Sequence, residues 1–386
     1  MDGRVQDFLA YCSKIDFGPV NLSKEEKKIY EEFNRENILL CDSLPKSIRD
    51  RTKKFLKEYS GIEKDTEDDK SDFFKKYHAP AWSIIYWLTH PKLANDHLSE
   101  EDVKNAITAH TMALNLHSLD DHLNDGQIPT NHITLLLRSE SWSRMTTAFD
   151  HLAAGEKAQM KIVKNFINDY YSSICGPEAV DSLDSYCDLF RRQMATWLMV
   201  PVLIANKVSD NLEFPDAVQS AYESFGIAWR LLDDLQDILI DLITDSHSAV
   251  YILLPEDMRR LWDNIFRDVS TIKIDHANDI LDYIQANGIV EHLQKRACSE
   301  LESAAVIAEG FKMKGLAEEF RCLAKPLKIS LNEFVKAGIK QDKSPVDDRK
   351  VLSIEVTTRC NSACSHCFVR AGITEPSSLS FRVVKD

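Results

Sequence analysis

Phe225-Gly-Ile-Ala-Trp-Arg230-Leu-Leu-Asp233-Asp234-Leu-Gln-Asp237-Ile-Leu-Ile-Asp241 sets four aspartates inside a run that is otherwise strongly apolar. At about 100° per residue, a helix brings Asp233, Asp237 and Asp241 within an arc of about 80°, with Arg230 among them. Leu231, Leu232, Ile238, Leu239 and Ile240 flank the stripe, so it does not read as a plain solvent face. Like charges four residues apart repel, and partial burial adds a desolvation cost. A second acidic cluster, Leu116-His-Ser-Leu-Asp120-Asp121-His-Leu-Asn124-Asp125-Gly126, closes another apolar helical run. Either cluster alone is compatible with a salt-bridged helix face. Two such walls in one helical domain make a receptor for divalent cations, since Mg²⁺ takes oxygen ligands and commonly bridges carboxylates to substrate phosphates.

The surroundings of both clusters are helical. Apolar residues recur at three- and four-residue steps in Val103, Ile107, His110 and Leu114, in Leu183, Tyr186, Leu189 and Phe190, and in Ile280, Tyr283 and Ile284. Gly126-Gln-Ile-Pro129, Gly176-Pro177 and Phe214-Pro215 punctuate the long runs, and period-2 alternation is absent from this region. The pattern predicts an all-α domain over residues 71–338, preceded by a helical extension over 1–70 that ends in the charged run Glu63–Lys70. A chain of 386 residues with 44% hydrophobic and 28% charged residues suits one large domain with an extension. A formal net charge of −14 argues against nucleic acid as a partner, because phosphate backbones are bound by concentrated Lys and Arg. It also means that an anionic substrate would need cations between itself and the protein. No run of about 18 apolar residues predicts a transmembrane segment, and Met1–Lys14 lacks the apolar core of a signal peptide. Cys12, Cys41, Cys175, Cys187, Cys298 and Cys322 are scattered without ligand spacing and read as reduced thiols of a cytoplasmic protein. A homodimer is left open.

The paired motifs resemble those of the polyprenyl synthetase branch of the class I isoprenoid synthases, over roughly residues 75–254. Asp120, Asp121 and Asp125 match the longer form of the first motif of that family, and Phe225-Gly226 with Asp233-Asp234-Leu-Gln-Asp237 matches the second. His247-Ser-Ala-Val-Tyr251 with Leu254-Pro255 is similar to the segment that follows it. The resemblance implies an isoprenoid synthase helical bundle around an apolar cavity, with a prenyl diphosphate and three Mg²⁺ at its mouth. It implies metal ligation by Asp120, Asp121, Asp125, Asp233, Asp234, Asp237 and Asp241, with Asp120, Asp121, Asp233 and Asp237 as the catalytic set. Arg191, Arg192, Arg230, Lys75 and Lys76 are the candidate diphosphate donors, and Trp82, Tyr86, Phe149, Trp197, Tyr222 and Trp229 the aromatic candidates for stabilising a cation.

The departures from the pattern bear on the reaction. Chain-elongating members carry an arginine pair soon after the first motif, where this chain has Gly126-Gln-Ile-Pro-Thr130. Their Gly-Lys-x-x-Arg-Pro element corresponds to Lys75-Lys76-Tyr-His-Ala-Pro80, which lacks the arginine, and their Lys-Thr pair to Gln193-Met194. The family lysine after the second motif falls on Ser246 or His247, and the family glutamine before it on Arg230. The allylic metal site therefore reads as intact and the second diphosphate site as eroded. The expectation is a terpene synthase-like ionisation of an allylic prenyl diphosphate. Chain elongation with isopentenyl diphosphate and a non-catalytic prenyl-lipid-binding domain are the alternatives. Asn115 and Leu116 put no aromatic floor just before the first motif, which favours longer substrates.

Residues 339–350 are polar and carry a proline, which marks a linker, and Val351-Leu-Ser-Ile-Glu-Val-Thr357 alternates as a strand does. Cys360-Asn-Ser-Ala-Cys364-Ser-His-Cys367 follows directly. Thiolates at this spacing suit an iron–sulfur cluster better than zinc, for which His366 is poorly placed as a fourth ligand. The segment resembles the opening of a radical-SAM domain, which implies a [4Fe–4S] cluster on Cys360, Cys364 and Cys367 with S-adenosylmethionine on the fourth iron. Residues 351–386 cover only the first strand and cluster loop of such a barrel, so no radical chemistry is expected of them.

Overall fold

A computed structural model of the chain describes residues 3–60, 72–94, 97–124, 126–175, 180–265 and 274–328. Helices α1 (Gly3–Cys12), α2 (Lys24–Ser43) and α3 (Lys46–Tyr59) precede α4 (Pro80–Thr89), α5 (Pro91–Ala94) and α6 (Glu100–Asn124). Then come α7 (His132–Ala153), α8 (Lys157–Cys175), α9 (Leu183–Gln193), α10 (Ala195–Val208) and α11 (Glu213–Gln236). The chain continues through α12 (Ile238–Thr244), α13 (Ala249–Leu253), α14 (Glu256–Asn264), α15 (Ile274–Ala286), α16 (Ile289–Gly310) and α17 (Lys314–Ala324). Among the described residues there is no strand, in agreement with the expected all-α class. The junctions expected near residue 71 and at 338, the linker 339–350, the predicted strand and the three clustered cysteines lie outside the described residues.

Two helices form the centre of the bundle, and their sequences say why. From Ala195 to Ala205 α10 is apolar apart from Thr196 and wholly buried, and α6 is buried all round from Ala109 to Leu114. By contrast α11 carries an apolar stripe toward α10 and α16 and a polar one toward the acidic end. Gly226 lets Met194, at the α9–α10 junction, press against α11: a Cβ there would lie 2.3 Å from the methionine Cε. The helical extension shares this core. Phe33 on α2 is fully buried and meets Phe74, Trp82 and His110, while Glu36 pairs with Arg144 of α7 at 2.8 Å. A Ser23–Glu26 capping box starts α2.

On the far side of the bundle, Glu319 of α17 is buried and accepts hydrogen bonds from Ser83 Oγ and Trp87 Nε1, both at 2.5 Å. Burial pushes its carboxyl up to about 8, against the pull of those two donors. Cys12, Cys41, Cys175, Cys187, Cys298 and Cys322 form no disulfide. No helix among the described residues is long and apolar enough to cross a membrane.

Candidate active site

The C-terminal ends of α6 and α11 open on one cavity of about 600 Å³. Asp121, Ser118 and His117 line it from α6, and Asp233, Arg230 and Trp229 from α11. Both helices thus turn their carbonyl ends, the negative ends of their macrodipoles, toward a mouth that already holds carboxylates. Just beyond the acids α6 stops: Gly126 takes a φ of 68°, and Gln127 N–H reaches back to the His122 carbonyl at 2.9 Å.

Consecutive helical residues point about 100° apart, so only one member of each Asp-Asp pair can face the cavity. In the first pair Asp121 faces it, exposed and without an ion pair among the described residues. Asp120 turns away and is gripped by Arg138 of α7 through both oxygens, Nε at 2.5 Å and Nη2 at 3.0 Å, with Tyr171 accepting from the same Nη2. In the second pair the order reverses. Asp233 faces the cavity, whereas Asp234 is buried, accepts from Tyr186 Oη at 2.8 Å and the Ala249 N–H at 2.9 Å, and is ion-paired at 3.1 Å with Arg230, whose Nε donates to Tyr186 Oη at 2.8 Å.

The helix breaks at Asp237, where φ is −100° and ψ 12°, so α11 and α12 are not the single straight helix assumed from the sequence. Its hydrogen bonding carries across the break, from Asp237 N–H to Asp233 at 2.9 Å and from Asp241 N–H to Asp237 at 2.8 Å. The stripe therefore survives with a bend in it. Burial holds the Asp233 carboxyl up at about 6, with Asp237, Asp234 and Asp121 adding repulsion and Arg230 opposing it. Asp237 is raised in the same way, and Asp241 is pushed up to about 7, chiefly by burial and then by Asp234. Asp241 Oδ2 is buried without a hydrogen-bond partner among the described residues. A surplus of desolvated, mutually repelling carboxylates with an orphaned oxygen is a donor set that fits hard divalent cations. Asp120 and Asp234 differ, since their oxygens are already engaged by protein donors. Asp125 lies outside the described residues.

The candidate cations divide as well. Arg230, 37% exposed, lies at the cavity edge between Asp233 and Asp234, its guanidinium over the Tyr186 and Phe190 rings. Lys75 and Lys76 line the cavity mouth, exposed and without an ion pair among the described residues. Arg191 instead pairs with Asp188 and Glu223, Arg192 donates to the Asp188 carbonyl, and neither lines the cavity. Of the aromatic candidates, Trp197 and Trp229 line the cavity, whereas Trp82, Phe149 and Tyr222 are core. Tyr86 stands elsewhere, against Trp87 and His90. Arg138, Tyr186, Tyr77 and His117 escaped the sequence reading. Tyr186, Tyr77 and His117 carried a signal, each sitting in a segment singled out for other residues; Arg138 carried none.

No protein-family model matches the chain, and no curated protein sequence does either. Solved structures do match it. Geranylgeranyl pyrophosphate synthetase from Pyrococcus horikoshii Ot3 aligns with a TM-score of 0.54 at 13% identity, over 85% of this chain and 100% of that one. Geranylgeranyl pyrophosphate synthase from Corynebacterium glutamicum ATCC 13032 aligns with a TM-score of 0.56 at 14% identity, over 83% and 98%. At such identities the likeness is one of fold, and the chain has the helical fold of these two proteins.

Proposed function

We propose that the chain catalyses the Mg²⁺-dependent ionisation of an allylic prenyl diphosphate. The observation that carries this reading is the placement of Asp121 and Asp233, from two different helices, across the mouth of an aromatic-walled cavity. Asp121, Asp233 and Asp237 would hold Mg²⁺, with Asp241 behind them and Asp125 as a further ligand; Asp120 and Asp234 hold the helices that present them. The bound ions would supply neutralisation of charge developing on the departing diphosphate. Arg230 offers that group a hydrogen-bond donor, and Lys75 and Lys76 add positive charge at the rim. The bond between the allylic carbon and the bridging oxygen breaks, and both electrons leave with the diphosphate. The faces of Tyr77, Trp197 and Trp229 then stabilise the allylic cation and exclude water from it.

Chain elongation is the second reading. It is favoured by Lys75 and Lys76, which line the same cavity and could hold the diphosphate of an isopentenyl nucleophile, and by the two fold relatives, both named as geranylgeranyl pyrophosphate synthases. Diphosphate release from geranyl, farnesyl and geranylgeranyl diphosphates, with Mg²⁺ and with or without isopentenyl diphosphate, tests both. Release without isopentenyl diphosphate supports ionisation, release only with it supports elongation, and no release under either condition overturns both. For Cys360, Cys364 and Cys367 the proposal remains a [4Fe–4S] cluster with S-adenosylmethionine. Its test is anaerobic reconstitution, and a colourless protein that takes up no iron would contradict it.

A further inference from the structure

An arginine placed three and four residues before two aspartates on a helix would be expected to close its fork on one of them, since guanidinium and carboxylate fit bidentately. The fork of Arg230 stays open instead. Its Nε donates to Tyr186 Oη at 2.8 Å, and the Tyr186 hydroxyl donates in turn to Asp234 Oδ2 at 2.8 Å. That oxygen also accepts from the Ala249 N–H at 2.9 Å, so Asp234 leaves only Oδ1 for Arg230, 3.1 Å from Nε. Nη1 stands 3.7 Å from Asp233 Oδ2, too far for a hydrogen bond. The inner edge of the guanidinium is thus engaged, while neither Nη makes a hydrogen bond among the described residues. Two rings from one face of α9 bracket the group, with the guanidinium carbon 6.0 Å from the Tyr186 centroid and 5.9 Å from that of Phe190. Phe190 lines the cavity beside Arg230, and Tyr186 is buried behind it. Arg230 falls where the resembled family carries glutamine, so its support comes from this chain's own residues.

We propose that Tyr186 is a positioning residue whose hydroxyl keeps Arg230 from closing on Asp234 and turns the free Nη edge of the guanidinium toward the diphosphate. This rests on the function proposed above and adds a residue to its diphosphate site. With Nε engaged by the phenol, the two Nη groups can meet two oxygens of one phosphate, the planar match that guanidinium offers and ammonium does not. A lysine at 230 would keep the charge, but it has no second nitrogen for the hydroxyl to hold. Removal of the hydroxyl takes one donor from Asp234 Oδ2 and leaves it the Ala249 N–H. Arg230 is then free to lay its fork on Asp234, four residues along the same helix, as such pairs do in isolated helices. In that posture it neutralises a supporting carboxylate and turns its donors away from the ligand.

The test measures binding of inorganic diphosphate to the full chain at saturating Mg²⁺ by calorimetry. The proteins compared are the wild type, Tyr186→Phe, Arg230→Lys and the double variant, each checked for folding by circular dichroism. Each single variant is expected to bind about 10-fold more weakly than the wild type, the scale of one hydrogen bond to a charged group. The double variant should bind no more weakly than Arg230→Lys, because Tyr186 acts only through the arginine fork. A Tyr186 that merely supports the fold would weaken binding by the same factor in both backgrounds, and that result overturns the proposal. So does wild-type affinity in Tyr186→Phe or in Arg230→Lys. If Tyr186→Phe fails to fold, Arg230→Lys decides: a loss of about 10-fold supports the oriented fork, and wild-type affinity overturns it. Because inorganic diphosphate is not turned over, a protein that shows this pattern but releases no diphosphate from prenyl substrates refutes the ionisation reading and leaves the role of Tyr186 standing. A wild type that binds no diphosphate with Mg²⁺ overturns both.

Discussion

The first acidic pair and the second solve the same problem with unequal strength. In each, one aspartate turns to the cavity and its neighbour is tied down by an arginine. Asp120 has Arg138 and remains 15% exposed, whereas Asp234 is 1% exposed and has Arg230, Tyr186 and a backbone N–H. Asp121 is open to solvent, while Asp233 is held up at about 6 by burial and by three neighbouring carboxylates. An Asp-Asp pair is therefore a division of labour between support and chemistry. The α11 wall is the more heavily anchored half of the receptor, and the α6 wall the less anchored one.

That contrast can be broken by mutation. Asp233→Asn and Asp121→Asn should each lower diphosphate release by about 10²-fold or more, as loss of a group that stabilises transition-state charge does. Their melting temperatures should be unchanged or higher, since each removes a repelling charge. Retention of activity within twofold by a folded variant would refute its role. The supporting aspartates should behave in the opposite way. Asp234→Ala strands Arg230 and the Tyr186 hydroxyl and should cost about 3–5 kcal/mol of stability in urea unfolding. Asp120→Ala, at the more exposed pair, should cost about 1–3 kcal/mol. Equal losses would mean that the two walls are equally anchored.

Two smaller effects sharpen the comparison. Millimolar Mg²⁺ with inorganic diphosphate should raise the melting temperature well above either alone, because only the ternary complex is tight. The increment should fade as pH falls through about 6, where Asp233 takes up a proton and stops being a ligand. Glu319, remote from both walls, supplies a control. Its folded-state value of about 8 stands above that of an unfolded glutamate, so the folded chain holds the extra proton. The stability it confers is complete below the unfolded value and drains away as pH rises toward 8, by at most about 1.4 kcal/mol per pH unit. Glu319→Gln should flatten that slope and leave the Mg²⁺ response untouched; a slope that persists in the variant would assign it elsewhere.

Much of the fold was legible because long helices write their buried faces at three- and four-residue spacing, and Gly126 and Pro215 mark where they start and stop. The acidic walls were legible because charge inside an apolar run demands a cause. Which member of each pair faces the cavity was not, since that depends on helix rotation, set by packing partners such as Met194 against Gly226. Arg138 lies on the next helix with nothing in its neighbourhood to tie it to Asp120. The sequence offered Trp197 and Trp229 as separate candidates, but they come from different helices, and only the fold brings their rings together.

The most direct test is a double-mutant cycle on Asp121 and Asp233, read as Mg²⁺-dependent diphosphate release from geranyl, farnesyl and geranylgeranyl diphosphates. If the two carboxylates act through one shared metal–diphosphate assembly, removing either disables it, and the double variant should be no slower than the worse single variant. Losses that simply multiply would mean independent roles and no common receptor. A wild-type protein that releases no diphosphate in this assay would contradict the account outright.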